Sequence, residues 1–206
     1  MEAARFWDVR ADKYAKRPVK DEQSYRWTLD RTRSHLSAGD EVLEVGCGTG
    51  TTALGLAASV GRITASDVSS RMVEIASEKA ATQKVENVRF VNATLFDDAL
   101  GEHPFDAVLA FNLLHLLEDL PGAVRRVHRL LKPGGLFISK TVCLAEQSRL
   151  WGVPLAAMRL LGLAPYVRCL TIAELEEVVT GAGFEILETG DRPPSPPSHF
   201  VVARSS

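Results

Sequence analysis

The sequence predicts an α/β domain built on a largely parallel sheet with helices on both faces. Three observations carry that reading. Strand-like and helix-like segments alternate five times, and one helix and two closing strands follow; such alternation leaves a parallel sheet covered on both sides. Asp106 to Ala110 is an almost uninterrupted apolar run, the pattern of a strand buried on both faces. Glu41 to Gly50, EVLEVGCGTG, reads as a short strand running into a glycine turn, with good helix-forming material behind it.

The elements follow in order. Residues from about Ala3 to Arg17 form a helix carrying Phe6, Trp7 and Tyr14, which Pro18 breaks. A second helix spans about Asp21 to Ser37, because Tyr25, Leu29, Thr32 and Leu36 recur at helical spacing. Ala38-Gly39-Asp40 stops it before the first strand. A helix after the glycine turn reaches about Val60. Arg62 to Ser66 is the second strand, ending at Asp67. Ser69 caps a helix to about Gln83, with Met72, Val73 and Ala76 inward. Val88 to Val91 is the third strand and Asp106 to Ala110 the fourth. Pro121 suits a helix start, and Val124, Val127 and Leu131 give its buried face. Lys132-Pro133-Gly134-Gly135 ends that helix, and Leu136 to Val142 is the fifth strand. Residues 143–170 interrupt the alternation. Thr171 and Glu174 form a capping box for a helix to Gly181. Phe184 to Glu188 is the sixth strand, Pro193 to Pro197 a stiff loop, and His199 to Ala203 the last strand. With no repeat and no linker, residues 1–206 read as one domain: a helical cap (1–37), a core (40–142), a lid insertion (143–170), and a closing helix and hairpin (171–206).

The totals narrow the function. The 206 residues are 46% apolar and 24% charged, as in an ordinary globular domain. The net charge of −2 argues against a general nucleic-acid or membrane-surface binder, without excluding a local patch. The three cysteines, Cys47, Cys143 and Cys169, lie apart without metal-ligand spacing, so no metal site is expected and reduced thiols are. The N-terminus has no apolar core of a secretory signal, and no apolar run approaches the ~20 residues of a membrane span. The expected location is the cytoplasm.

The glycine turn is the informative stretch. Glycine tolerates positive φ and lets a ligand approach the backbone, and the helix behind would aim its N-terminus at that ligand. A dinucleotide site wants G-x-G-x-x-G, but Thr51 stands three residues after Gly48. What stands instead is E-x-G-x-G-x-G, through Glu44, Gly46, Gly48 and Gly50. Asp67 places a carboxylate at the end of the second strand, where it can accept bonds from two ribose hydroxyls. Together with Lys132-Pro133-Gly134-Gly135, this combination resembles the class I S-adenosylmethionine-dependent methyltransferases, small-molecule type. The resemblance covers residues 40–142 well and 171–204 in outline. It implies a Rossmann-like, seven-stranded, mostly parallel sheet of order 3-2-1-4-5-7-6 with the last strand antiparallel, and S-adenosylmethionine as cofactor.

The resemblance also implies roles by position. Glu44, Gly46, Cys47, Gly48 and Gly50 would hold the cofactor with Asp67. Val68 and Met72 would flank the adenine, although Met72 equally suits plain core. Ala93 stands where the family carries an Asp for the adenine amino group; backbone groups of Thr94 and Leu95 would read the ring instead, with Asn92 compensating. Phe111 and Asn112, at the fourth strand's end, would line the methionine half. Cys47 reads as a small residue filling the turn rather than a nucleophile, since no His or Asp lies at motif distance. His115, Tyr14 and Tyr25 are the candidate bases or orienters, with Tyr166 beside them, and a structural role for His115 competes. His35, His103 and His128 have no such placement. All Trp and Tyr fall before residue 28 or between 151 and 166, in segments that would cover the strand ends or simply dock surface helices. The apolar segment 150–163, with Arg149 and Arg159 beside it, reads equally as a lid over an apolar molecule or as a homodimer surface.

Methyl transfer from a sulfonium is an in-line displacement needing alignment more than chemistry. The expected reaction is transfer to a small, partly apolar or aromatic acceptor. A non-catalytic cofactor binder and, further off, an NAD-dependent oxidoreductase are the alternatives.

Overall fold

The computed structural model describes residues 2–100 and 104–206, and the side chains among them except those of Glu2 and Arg149; His103 and the Arg149 side chain lie outside the described residues. Seven strands form one sheet of order β3-β2-β1-β4-β5-β7-β6, as the resemblance implied. The chain divides into two compact units, Met1–Leu109 and Ala110–Ser206.

In the first unit, β1 (Glu41–Val45) pairs in parallel with β2 (Arg62–Asp67) and with β4 (Phe105–Phe111), and β2 pairs with β3 (Val88–Asn92). Val42, Leu43, Val45, Ile63 and Ala65 are buried, which is why these strands read as apolar runs. The expected N-terminal helix is two pieces, α1 (Glu2–Asp8) and α2 (Ala11–Ala15). The break lets Ala11 reach the buried Met72 and Ile75, with Trp7 and Ala15 packed around them. In α3 (Glu22–Arg33), Asp21 caps the start by accepting from the Ser24 amide at 2.9 Å. It buries Ser24, Thr28, Leu29 and Thr32; Leu36 falls past its end. The helix behind the glycine turn, α4 (Thr51–Leu56), is shorter than expected and closes in a 3-10 turn over Ala57–Ser59. In α5 (Ser70–Gln83), the Ser69 hydroxyl caps the Met72 amide at 3.1 Å.

In the second unit, Asp119 caps α6 (Leu120–Leu130), accepting from the Gly122 amide at 2.9 Å. β5 runs Leu131–Val142, five residues longer than expected, but its pairing with β7 begins at Leu136↔Arg204. After α7 (Gly152–Leu160), Thr171 and Glu174 close the expected reciprocal cap on α8 (Ile172–Gly181), at 3.1 and 2.9 Å. β6 (Phe184–Pro194) and β7 (Pro197–Ser205) are antiparallel and pair up to Pro194↔Pro197. The expected proline loop is therefore mostly strand; β6 is the sheet edge, where a proline's missing N–H costs no ladder bond. His199, only 3% exposed, bridges the two layers: Nδ1 lies 2.8 Å from Asp191 and Nε2 3.0 Å from Glu176. No helix among the described residues is long and apolar enough to cross a membrane.

Candidate functional site

The glycine turn takes the backbone shape its residues predict. Gly46, Gly48 and Gly50 have φ of 68°, 53° and 75°, values that L side chains disfavour. The two later glycines serve different ends. A Cβ at Gly50 would stand 2.7 Å from the Phe90 ring and 2.8 Å from Ala76, so that position is closed by packing. A Cβ at Gly48 would meet only the Tyr14 ring, at 4.0 Å, so that side of the turn is open.

Asp67 braces the turn from the neighbouring strand. Its Oδ2 accepts from the Gly48 amide at 2.8 Å and its Oδ1 from the Ser69 amide at 2.9 Å. Burial pushes its pKa up, against the lowering effect of those two bonds. Each oxygen keeps a lone pair beyond its backbone bond, so bracing does not exhaust the carboxylate. Ser69 links it onward: the Ser69 hydroxyl donates to Asp8 at 2.6 Å, and Asp8 also accepts from the Arg71 amide at 3.2 Å. Arg71 pairs with Asp12 at 2.8 Å. The two N-terminal helices are thus tied to the start of α5 beside the turn.

Glu44 lies beneath the turn, 3% exposed on β1 between Ala65 and Leu109. Burial raises its pKa to about 8, against one bond accepted from the Ala53 amide. The carboxyl is therefore protonated at neutral pH. Its Oε2 is buried without a hydrogen-bond partner, an arrangement that costs ~1–3 kcal/mol unless something fills it. Tyr25 stands half-buried alongside, its hydroxyl donating to the Thr51 carbonyl at 3.3 Å; burial raises its pKa as well.

Several expected contacts are already used within the chain. The Thr94 amide donates to Asp97 at 2.6 Å, with the Thr94 hydroxyl on the same oxygen at 2.9 Å, so that amide is not free to read a ring. Leu95 is buried. Asn92 donates its side-chain amide to the Asp67 and Val68 carbonyls, both at 3.0 Å, which fixes the β2 end. Met72 is 2% exposed, in a buried cluster with Ala11 and Ile75. The Cys47 amide bonds the Ser66 carbonyl at 2.9 Å, and burial pushes its thiol pKa well up, as befits a filler.

Sequence reasoning missed Lys79. Its ammonium donates to the Thr49 carbonyl and hydroxyl, each at 3.0 Å, clamping the turn from α5. The signal was present: Lys79 continues the buried stripe of Met72, Ile75 and Ala76, a place where a lysine needs a reason. Asp8 carried no such signal.

In the second unit, Phe111 is half-buried and Asn112 has φ of 54°, its amide donating to the Lys140 carbonyl at 2.7 Å. His115 follows in a 3-10 turn, and its carbonyl accepts from the Arg168 amide at 2.7 Å. Burial pushes its pKa down to about 4, and its Nδ1 is buried without a partner. The ring is neutral near pH 7 and too weak a base to be well matched to that pH. No group of His, Cys, Asp and Glu among the described residues could hold a metal.

Residues 42–135 match the family model described as a methyltransferase domain. A ubiquinone biosynthesis O-methyltransferase of Alkalilimnicola ehrlichii is 33% identical over 79% of this chain and 64% of its own length. Over this core the chain is similar to the class I S-adenosylmethionine-dependent methyltransferases. A demethylmenaquinone methyltransferase of Clavibacter sepedonicus is 34% identical over 54% of this chain and 45% of its own length. The chain thus spans less than two thirds of these curated relatives. Among solved structures, the magnesium protoporphyrin IX methyltransferase of Synechocystis with bound SAH superposes with a TM-score of 0.75 at 19% identity, over 99% of this chain and 98% of that one. That likeness establishes the methyltransferase fold along nearly the whole chain. The family's cofactor suits three features of the first unit: the open side of Gly48, the spare lone pairs of Asp67 and the unfilled Oε2 of Glu44.

Proposed function

We propose that this chain binds S-adenosylmethionine on the glycine turn and transfers its methyl group to a small, partly apolar or aromatic acceptor by in-line displacement. The observation that carries the reading is the Gly48–Asp67 pair, a left-handed glycine with an open side fixed 2.8 Å from a buried carboxylate. In this reading the spare lone pairs of Asp67 receive the ribose hydroxyls, and Val68 flanks the adenine. The Glu44 carboxyl fills its empty valence with the amino-acid end. The sulfonium supplies an activated methyl group, so the chain's task is to align and to exclude water. Tyr14, over the turn, and Tyr25 orient the acceptor. The relatives named for quinone biosynthesis support an aromatic acceptor with apolar character. Non-catalytic binding is the second reading, favoured by the low basicity of His115.

Calorimetry with S-adenosylhomocysteine tests the proposal. Asp67→Ala should lose ~1.5–3 kcal/mol, roughly 10- to 150-fold in affinity, as charge-assisted bonds are removed. Unchanged affinity refutes the role of Asp67. Wild-type protein that ignores the nucleoside but takes up a nicotinamide dinucleotide refutes the whole reading.

A further inference from the structure

The two N-terminal helices are joined to α3 by residues 16–21, which are exposed and belong to no helix or strand. Both helices dock on α5. Their buried apolar contact is small, Ala11 against Met72 and Ile75 with Trp7 and Ala15 beside them. Next to it lies a polar attachment centred on Asp8. This carboxylate sits on the first turn of α5, a helix of 14 residues. It accepts from the Ser69 hydroxyl at 2.6 Å, from the Arg71 amide at 3.2 Å and from Ser70. A carboxylate at that end of a helix meets amides with no partner in the helix and the positive end of its dipole, and the bonds it accepts hold its pKa down. On α2, Asp12 pairs with Arg71 at 2.8 Å. Asp8 therefore caps α5 from another helix, through the same Ser69 whose amide donates to Asp67.

What α2 carries ties this attachment to the glycine turn. The Tyr14 ring stands 4.0 Å from the place a Gly48 Cβ would take. A ligand lying between that glycine and the ring must make two carbon contacts of ~3.5 Å each, and the gap is narrower than that. The ring also meets Trp7 of α1 edge-on, with 6.2 Å between centroids, so both helices hold it. Room above Gly48 is thus made by moving the helix pair outward, and the exposed residues 16–21 are the place where the chain can bend.

We propose that α1 and α2 form a cap that swings on residues 16–21 to let the nucleoside on and off the glycine turn, and that Asp8 is the positioning residue that latches this cap to α5. The proposal rests on the cofactor reading above. It gives the Asp8–Ser69 and Asp12–Arg71 bonds a role in the timing of exchange as well as in docking. A latched cap keeps part of the population unable to accept ligand, and loosening the latch enlarges the competent fraction.

Surface plasmon resonance of S-adenosylhomocysteine over the immobilised full chain is the test, because it separates association from dissociation. Asp8→Ala should raise both rate constants about three- to tenfold, the weight of one net hydrogen bond at the latch, with Kd changed by less than either. Asp12→Ala, at an exposed position, should move both in the same direction, and it is read alone if Asp8→Ala does not fold. A role for Asp8 confined to bracing Asp67 through Ser69 would speed dissociation and leave association unmoved; that result overturns the cap. Unchanged rates in the folded variants overturn it as well, while leaving the cofactor reading intact. A wild-type chain that binds no S-adenosylhomocysteine brings down the cofactor reading, and the cap with it.

Discussion

Glu44 should make the stability of the protein fall as pH rises through neutrality. The carboxyl is wholly buried with a pKa of about 8, against a reference value of 4.5. A pKa raised on folding means the folded state holds its proton more tightly than the unfolded chain. The resulting stabilisation is fully present below pH 4.5, declines as pH rises between the two values, and is gone above about pH 8. At ~1.4 kcal/mol per pKa unit, the change from pH 5 to pH 8.5 is about 4 kcal/mol. That is a large part of the ~5–15 kcal/mol typical of a domain. Glu44→Gln keeps the shape and a donor but removes the titration. Urea unfolding of both proteins at pH 5, 7 and 8.5, followed by tryptophan fluorescence, reads the difference. Wild type should lose about 4 kcal/mol more than the variant across that range. Parallel pH profiles would show that Glu44 does not hold a proton in the folded protein, and the protonated buried carboxyl would have to be abandoned.

Two further substitutions separate packing from clamping at the turn. Gly50→Ala combines a left-handed φ of 75° with a Cβ 2.7 Å from Phe90. It should cost about 3 kcal/mol in urea unfolding, and a cost under ~0.5 kcal/mol would mean the turn readily reshapes. Lys79→Met removes the bonds to Thr49 while retaining an apolar stem on α5. It should weaken S-adenosylhomocysteine binding about three- to tenfold, the equivalent of one net hydrogen bond, with Tm changed by only a few degrees; unaltered affinity would make Lys79 a packing residue only.

Periodicity and glycine spacing made the sheet legible. The inner strands β1 and β4 are buried on both faces and so announce themselves as apolar runs, and Ser69, Thr171 and Glu174 cap helices through local bonds that sequence displays directly. Elements whose bounds depend on tertiary contact were less legible. Nothing local breaks the helix between Asp8 and Ala11; the break answers to Met72 and Ile75, sixty residues away. The proline run looked like a loop because a proline cannot donate, and only the position of β6 at the sheet edge makes strand geometry harmless there.

The same distinction governs the site. Gly48 and Asp67 were readable because each is a residue type required by its own backbone or strand end. What could not be read is how the chain spends its donors. The Thr94 amide looked available to a ring and is consumed by Asp97 within its own loop, and the Asn92 donors are spent on the Asp67 and Val68 carbonyls. By contrast, Glu44 Oε2, an acceptor left unfilled beneath the turn, lies on a strand that sequence describes only as apolar with a carboxylate inside it. A buried group that leaves a valence open is tolerated where a ligand completes it. This turn therefore holds its own shape through Asp67 and Lys79, and the role proposed for Glu44 is to meet a ligand above it.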